Sequence, residues 1–230
     1  MKILGSIIAF FAFTTVFAGD LEEGIAAFER KDYAIAFGKF RSLAQQGDRD
    51  AAALVVTMYN GGLGVIQDYN EAVRWYQLAA KQGSAIAQVN LGMMYSYGRG
   101  VVQDYKEAVR WYHLAAKQGN GTAQHNLGVV YNEGKGVAQD YKEAVRWYQL
   151  AARQGIAQAQ YNFGRMYFLG QGVLRDYVRA HMWSNVASAG GYEDSQKNRD
   201  IAAIKMSAQQ IEQAQRMARE CMESNFKKCD

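Results

Sequence analysis

The chain has 230 residues, 49% of them hydrophobic and 21% charged, and a formal net charge of +4. This composition excludes a disordered chain and supplies enough apolar material for a sizeable core. No run exceeds two cations, which argues against a nucleic-acid footprint.

The first element in chain order is an export signal. Lys2 supplies a positive start, Ile3 to Phe17 is almost unbroken apolar sequence, and Val16-Phe17-Ala18 suits cleavage after Ala18. The apolar stretch is short for a membrane span, so no stable span is expected once it is removed. The residue directly after the cleavage point is Gly19 and not a cysteine, which argues against a lipid anchor. Export puts both cysteines, Cys221 and Cys229, in an oxidising compartment, where an even count favours one disulfide pinning the tail to the last helix.

Next comes a helix predicted over Leu21 to Arg30, with Asp20-x-x-Glu23 as its cap. Asp32-Tyr33, Ala36, Phe40, Ala44 and Gly47 then foreshadow a pattern that becomes regular downstream. The four tryptophans, Trp75, Trp111, Trp147 and Trp183, fall 36 residues apart. Each follows an Asp-Tyr pair (Asp68-Tyr69, Asp104-Tyr105, Asp140-Tyr141, Asp176-Tyr177), and each pair follows a Gly-x-Gly-Val loop. A fixed period of this length signals one small unit copied and stacked.

Within Ala87 to Thr122, the apolar residues Ala87, Leu91, Met94 and Tyr95 predict a first helix. Gly92, repeated as Gly128 and Gly164, implies close approach by a neighbouring helix. The Gly98-Arg99-Gly100 loop reverses the chain. Asp104-x-x-Glu107 has the form of a capping box, repeated at Asp68-x-x-Glu71 and Asp140-x-x-Glu143 and broken by Arg179 after Asp176. Ala108, Trp111, Leu114 and Ala115 form the predicted buried stripe of a second helix ending at Gln118-Gly119. After the fourth unit, Glu193 to Met206 reads as another first-type helix. Ser207-x-x-Gln210 opens a final helix reaching Met222.

These units resemble the Sel-like repeat (SLR) family, a relative of the tetratricopeptide repeats. The resemblance rests on Ala87, Leu91-Gly92, Met94-Tyr95, Gly98-Arg99-Gly100-Val101, Asp104, Ala108, Trp111-Tyr112, Ala115-Ala116 and Gly119. It implies an all-α fold: a right-handed α/α solenoid of helical hairpins, its concave face lined by the first helices, with a C-terminal capping helix. The expected organisation is a signal peptide (1–18), a degenerate N-terminal repeat (19–50), four repeats (51–86, 87–122, 123–158 and 159–194) and a helical cap (195–230).

Catalytic groups are sparse. His113, His125 and His181 are the only histidines, read as surface residues, and two of them without a supporting carboxylate or cysteine make a poor metal site. No metal and no cofactor are expected. The Gly-x-Gly loops lack the strand and third glycine of a phosphate cradle. Ser224-Asn225-Phe226-Lys227 fits Ser-x-x-Lys without its companion motifs. Some SLR proteins with a cysteine pair in each repeat are reported as weak β-lactamases; this chain has no cysteine within its repeats.

Positions that differ between repeats are freer to carry specificity. On the expected concave face these are Val89, Met93 and Tyr97 in one repeat, His125, Val129 and Glu133 in the next, and Tyr161, Arg165 and Phe168 in the fourth. Asn90, Asn126 and Asn162 share that face. They either bond a bound peptide's backbone, as in tetratricopeptide clamps, or bond a neighbouring turn. The leading expectation is a non-enzymatic scaffold or regulator in the periplasm of a Gram-negative bacterium or outside it, binding a protein or peptide. The alternatives are a weak β-lactam or cell-wall hydrolase and a secreted host-interaction factor.

Overall fold

The computed structural model describes residues 19–229; the proposed leader lies outside them. Every regular element described is helical: α1 (19–29), α2 (Tyr33–Gln45), α3 (Arg49–Gly61), α4 (Tyr69–Lys81), α5 (Ala85–Tyr97), α6 (Tyr105–Lys117), α7 (Gly121–Glu133), α8 (Tyr141–Ala152), α9 (Ala157–Leu169), α10 (Tyr177–Ala189), α11 (Asp194–Ala203) and α12 (Ala208–Glu223). The chain divides into two compact units, one ending at Gln103 and one beginning at Asp104. In the first, α2, α3, α4 and α5 pack each on the next. In the second the same holds from α6 to α10, and α10 also receives α11 and α12. The all-α hairpin array expected from the sequence is present.

Gly-x-Gly and Asp-Tyr recur together because they touch. At Gly136 the backbone is left-handed (φ 75°), and a Cβ there would lie 2.5 Å from the Tyr105 carbonyl at the start of α6. Only glycine meets both demands. Gly64, Gly100 and Gly172 make the same approach to Tyr33, Tyr69 and Tyr141. The mid-helix glycine is explained in the same way, since a Cβ at Gly128 would enter the Tyr148 ring of α8.

Helix starts are capped. Asp104 accepts from the amides of Lys106 (2.8 Å) and Glu107 (3.1 Å), and Asp68 and Asp140 repeat this. The reciprocal half of the predicted boxes is not what the glutamates do: Glu71, Glu107 and Glu143 turn to Arg74, Arg110 and Arg146 one turn on. The full box forms at Ser207 and Gln210. Asp20 does not cap α1 but lies within it, and with Glu23 it grips Lys39 of α2 at 2.6 and 2.7 Å.

The predicted stripe also shifts. Tyr112 is buried while Leu114 is 39% exposed, and Trp111 is half-buried. Tyrosine, not tryptophan, is the more deeply buried aromatic of α6, and in α8 the equivalent Tyr148 lies against Gly128 of α7. Trp147 is buried at a seam, 5.6 Å from the His113 ring of the preceding second helix. A glutamine that recurs at the same 36-residue interval closes each hairpin pair: buried Gln88, Gln124 and Gln160 donate to the Ala80, Ala116 and Ala152 carbonyls (3.1, 3.5 and 3.1 Å). Those carbonyls end the preceding second helices, where α-helices run out of donors.

The tail is fixed as expected. Cys221 and Cys229 are bonded and both buried.

Candidate interaction site

On α5 the apolar periodicity splits into two faces. Ala87, Val89, Leu91 and Met94 turn inward and are buried. Ile86, Asn90, Met93 and Tyr97 follow at i, i+4, i+7 and i+11, which places them on one line along the other face. Ile86 is 67% exposed and Tyr97 65%. This line of about 16 Å borders two adjoining hollows of the first unit. One, about 300 Å³, is walled by Ala53, Val56 and Thr57 of α3, Ala79 of α4 and Ile86. The other, about 190 Å³, is walled by Asn60, Tyr69, Met93, Tyr97 and Arg99. Tyr76 and Asn90 border both, so the hollows form one groove.

The groove offers hydrogen-bonding groups that the protein leaves open. The Asn60 amide donates to the Tyr76 hydroxyl at 3.4 Å, so that hydroxyl keeps its own proton for another acceptor. Burial raises the Tyr76 pKa and the Asn60 bond opposes this. Asn60 Oδ1 meets no donor among the described residues, but it is enclosed and therefore not offered to the groove. The Asn90 side chain forms no hydrogen bond among them either. Arg99 stands 5.5 Å from the Tyr97 ring at one end.

One departure from the repeat pattern shapes this groove. Val56 occupies the position held by Gly92, Gly128 and Gly164 in the other repeats. Tyr148 lies against Gly128 and is 2% exposed, whereas Tyr76, facing valine, is only half-buried. The valine keeps the tyrosine out of the hairpin and its hydroxyl in the groove.

In the second unit the equivalent face is largely closed on itself. Asn162 Nδ2 sits 3.1 Å from His125 Nε2, and the His125 ring is 6.0 Å from that of Tyr148. Burial lowers the His125 pKa, offset in part by a hydrogen bond with Asn126. The Tyr161 ring rests 4.9 Å from Tyr192, with the Arg165 guanidinium 5.9 Å away on it. Val129 packs against the core cluster, Glu133 pairs with Lys135 at 2.7 Å, and the Phe168 ring lies 5.5 Å from Tyr177.

Of the residues expected on the concave face, Asn90, Met93 and Tyr97 therefore border an open groove. Arg165 and Glu133 are exposed but engaged with their own helix or loop. Val89 is a correction: at 5% exposure it belongs to the core. The repeated asparagines divide: Asn162 bonds its neighbour repeat, and Asn90 is open. Asn60 shares the first-helix column of Phe168, and Ile86 and Tyr76 were missing from the expected set. Helical spacing from Asn90 would have found Ile86. Tyr76 was hidden because its column is core elsewhere.

The histidines are not the surface residues expected. His181 is buried at 3% exposure with Nδ1 unpartnered among the described residues, and His113 is half-buried with Nε2 3.3 Å from the Tyr131 hydroxyl. No group of three or more His, Cys, Asp or Glu among the described residues is placed to hold a metal ion. Ser224 donates to the Cys221 carbonyl (2.8 Å) and accepts from the Lys228 amide (2.9 Å). Its hydroxyl therefore ties down the tail.

The Sel1 repeat profile matches residues 51–84, 85–120, 121–156 and 157–192. The chain belongs to the Sel1 repeat family. A Sel1 repeat protein from Oxalobacter formigenes is 35% identical with a TM-score of 0.70, over 76% of this chain and 72% of that one. A protective antigen with an SLR fold from uropathogenic Escherichia coli (24% identity, TM-score 0.51, 91% and 70% coverage) shares the fold. So does a Sel1-type protein from Klebsiella pneumoniae (22%, TM-score 0.51, 81% and 93%). No curated protein matches the chain. Sel1 repeat proteins are in general non-enzymatic helical scaffolds for protein interaction.

Proposed function

We propose that this Sel1 repeat protein is an exported scaffold that holds a segment of a partner protein in the groove of its first unit. The observation that carries this is the conjunction at α5 of an apolar line (Ile86, Met93, Tyr97) with the Asn90 side chain and the Tyr76 hydroxyl, which keeps its proton for an outside acceptor. Backbone N–H and C=O of an extended segment would satisfy those groups, and alternate side chains would enter the two hollows. A length of about 16 Å takes roughly five extended residues at about 3.3 Å each.

The leader and the bonded cysteines support export to the periplasm or medium of a Gram-negative cell. Mass analysis of mature protein is expected to find a chain starting at Gly19. The groove is tested by quantitative co-purification. Asn90→Ala with Tyr97→Ala is expected to lower partner recovery at least tenfold, and Tyr161→Ala with Arg165→Ala to leave it near wild type. Equal recovery by both, or selective loss in the second, would refute the assignment.

A further inference from the structure

The two hollows beside α5 differ in charge. Among the described residues, no charged side chain lines the hollow of Ala53, Val56 and Ile86, and Arg99 alone is charged in the lining of the other. Arg99 is exposed and forms no ion pair among the described residues. Its guanidinium lies 5.5 Å from the Tyr97 ring.

The repeat shows why this cation is free. Lys135 holds the same loop position one repeat on, and Glu133 binds it at 2.7 Å. The counterpart of Glu133 is Tyr97, so Arg99 has a ring where the lysine has a carboxylate. The acids that follow Ile66 are committed elsewhere. Asp68 accepts the Asn70 and Glu71 amides at 2.8 and 3.1 Å and walls a separate hollow with Gly100 to Val102. Glu71 pairs with Arg74.

The remaining polar groups around Arg99 are donors with protons to give. The Tyr76 hydroxyl accepts from Asn60. The Tyr69 hydroxyl accepts from the Gln67 amide at 2.9 Å, and the same amide donates to the Asn60 carbonyl at 2.6 Å. Both hydroxyls therefore keep their own protons beside Asn60. The Asn90 amide completes the set.

We propose that the groove receives the C-terminal end of its partner's chain, with the terminal carboxylate in the smaller hollow against Arg99. This rests on the groove reading above and specifies its occupant. A carboxylate offers about four acceptor sites and the charge that Arg99 lacks, whereas a backbone carbonyl leaves the guanidinium without a counterion. A chain end suits the geometry better than an acidic side chain. Tyr76 and Asn90 border both hollows, so they stand on the line along which the segment's backbone runs. A terminal carboxylate is part of that backbone, and a side-chain carboxylate stands away from it. Apolar residues upstream of the end lie toward Val56 and Ile86.

The test is affinity selection with purified mature protein, read by mass spectrometry. Three pools of N-acetylated pentapeptides, randomised over alanine, valine, leucine, phenylalanine and serine, serve as probes. One has a free C-terminal carboxylate, one a C-terminal amide, and one the amide with a central glutamate. Wild type is expected to retain the acid pool about tenfold better than either amide pool, the worth of one hydrogen bond to a charged group, and to lose that preference in high salt. Arg99→Gln is expected to erase the preference with unchanged circular dichroism, since the site is exposed, and to leave retention of the plain amide pool as in wild type. An acid preference that survives Arg99→Gln, a glutamate pool retained as well as the acid pool, or no retention of any pool overturns the inference. Equal retention of all pools, lost together in Asn90→Ala with Tyr97→Ala, overturns it and leaves the groove reading standing. Acid retention indifferent to those two substitutions refutes both.

Discussion

Gly136→Ala and Gly119→Ala separate two demands that the repeat places on glycine. Both residues are left-handed, with φ of 75° and 85°. A Cβ at Gly119 meets nothing within 4 Å, whereas one at Gly136 meets the Tyr105 carbonyl at 2.5 Å. Gly119→Ala should therefore cost only the conformational strain, about 1 kcal/mol. Gly136→Ala carries the same strain and forces the loop away from α6. Its partner is backbone that cannot rotate aside, so about 2 kcal/mol of overpacking adds to the strain, for roughly 3 kcal/mol in all. Urea unfolding followed by circular dichroism reads the difference, with hydrogen exchange at Tyr105 to Ala108 reporting whether the damage is local. Losses equal within about 0.5 kcal/mol would refute the claim that the second glycine of the loop exists to admit the preceding Asp-Tyr helix start.

Three further outcomes are expected. Burial, with smaller contributions from nearby cations at His113 and His181, lowers the pKa of His113, His125 and His181 in the folded state. Stability should thus be full above the unfolded value of about 6.5 and fall as pH drops through it. The urea midpoint should decline from pH 7.5 to pH 5.5, with a smaller decline in His181→Gln. Cys221→Ser with Cys229→Ser should cost about 2.5 kcal/mol by loss of a short loop constraint, measured by urea unfolding with and without reductant. Val56→Gly should let Tyr76 settle against α3 as Tyr148 settles against Gly128; nuclear Overhauser contacts from the Tyr76 ring to α3 report this, and an unmoved ring would show that the valine does not shape the groove.

The helix pattern was legible because Gly-x-Gly-Val, Asp-Tyr and Trp recur at one interval, and an interval that survives copying is set by packing. The period also identified which residues share a column. It could not say how deep a column lies in a given repeat, because that depends on the facing residue. Tyr148 is core and Tyr76 lines a groove for one reason, glycine opposite the first and valine opposite the second. Val89 and His125 share a column, yet one is buried in the core and the other is tied to Asn162. Sequence variation thus pointed to His125, Tyr161 and Arg165, where variable residues had found partners within the array: Asn162 for His125, Tyr192 for Tyr161, and Tyr161 of the same helix for Arg165. The open site lay instead where a repeat departs from its own glycine. The reach of Glu107 was also outside the pattern, since a glutamate at the third helical position serves either the cap amide or an arginine one turn on, and Arg110 stands within that reach.

The most direct measurement is site-specific photo-crosslinking in the producing cell, with a benzophenone side chain placed singly at Met93, Arg165 and Leu150. The groove reading requires a discrete protein adduct from Met93 that disappears when Asn90→Ala and Tyr97→Ala are added, and none of comparable yield from Arg165 or from Leu150 on a second helix. Adducts from Arg165 with none from Met93, or a Met93 adduct indifferent to the two substitutions, would contradict it.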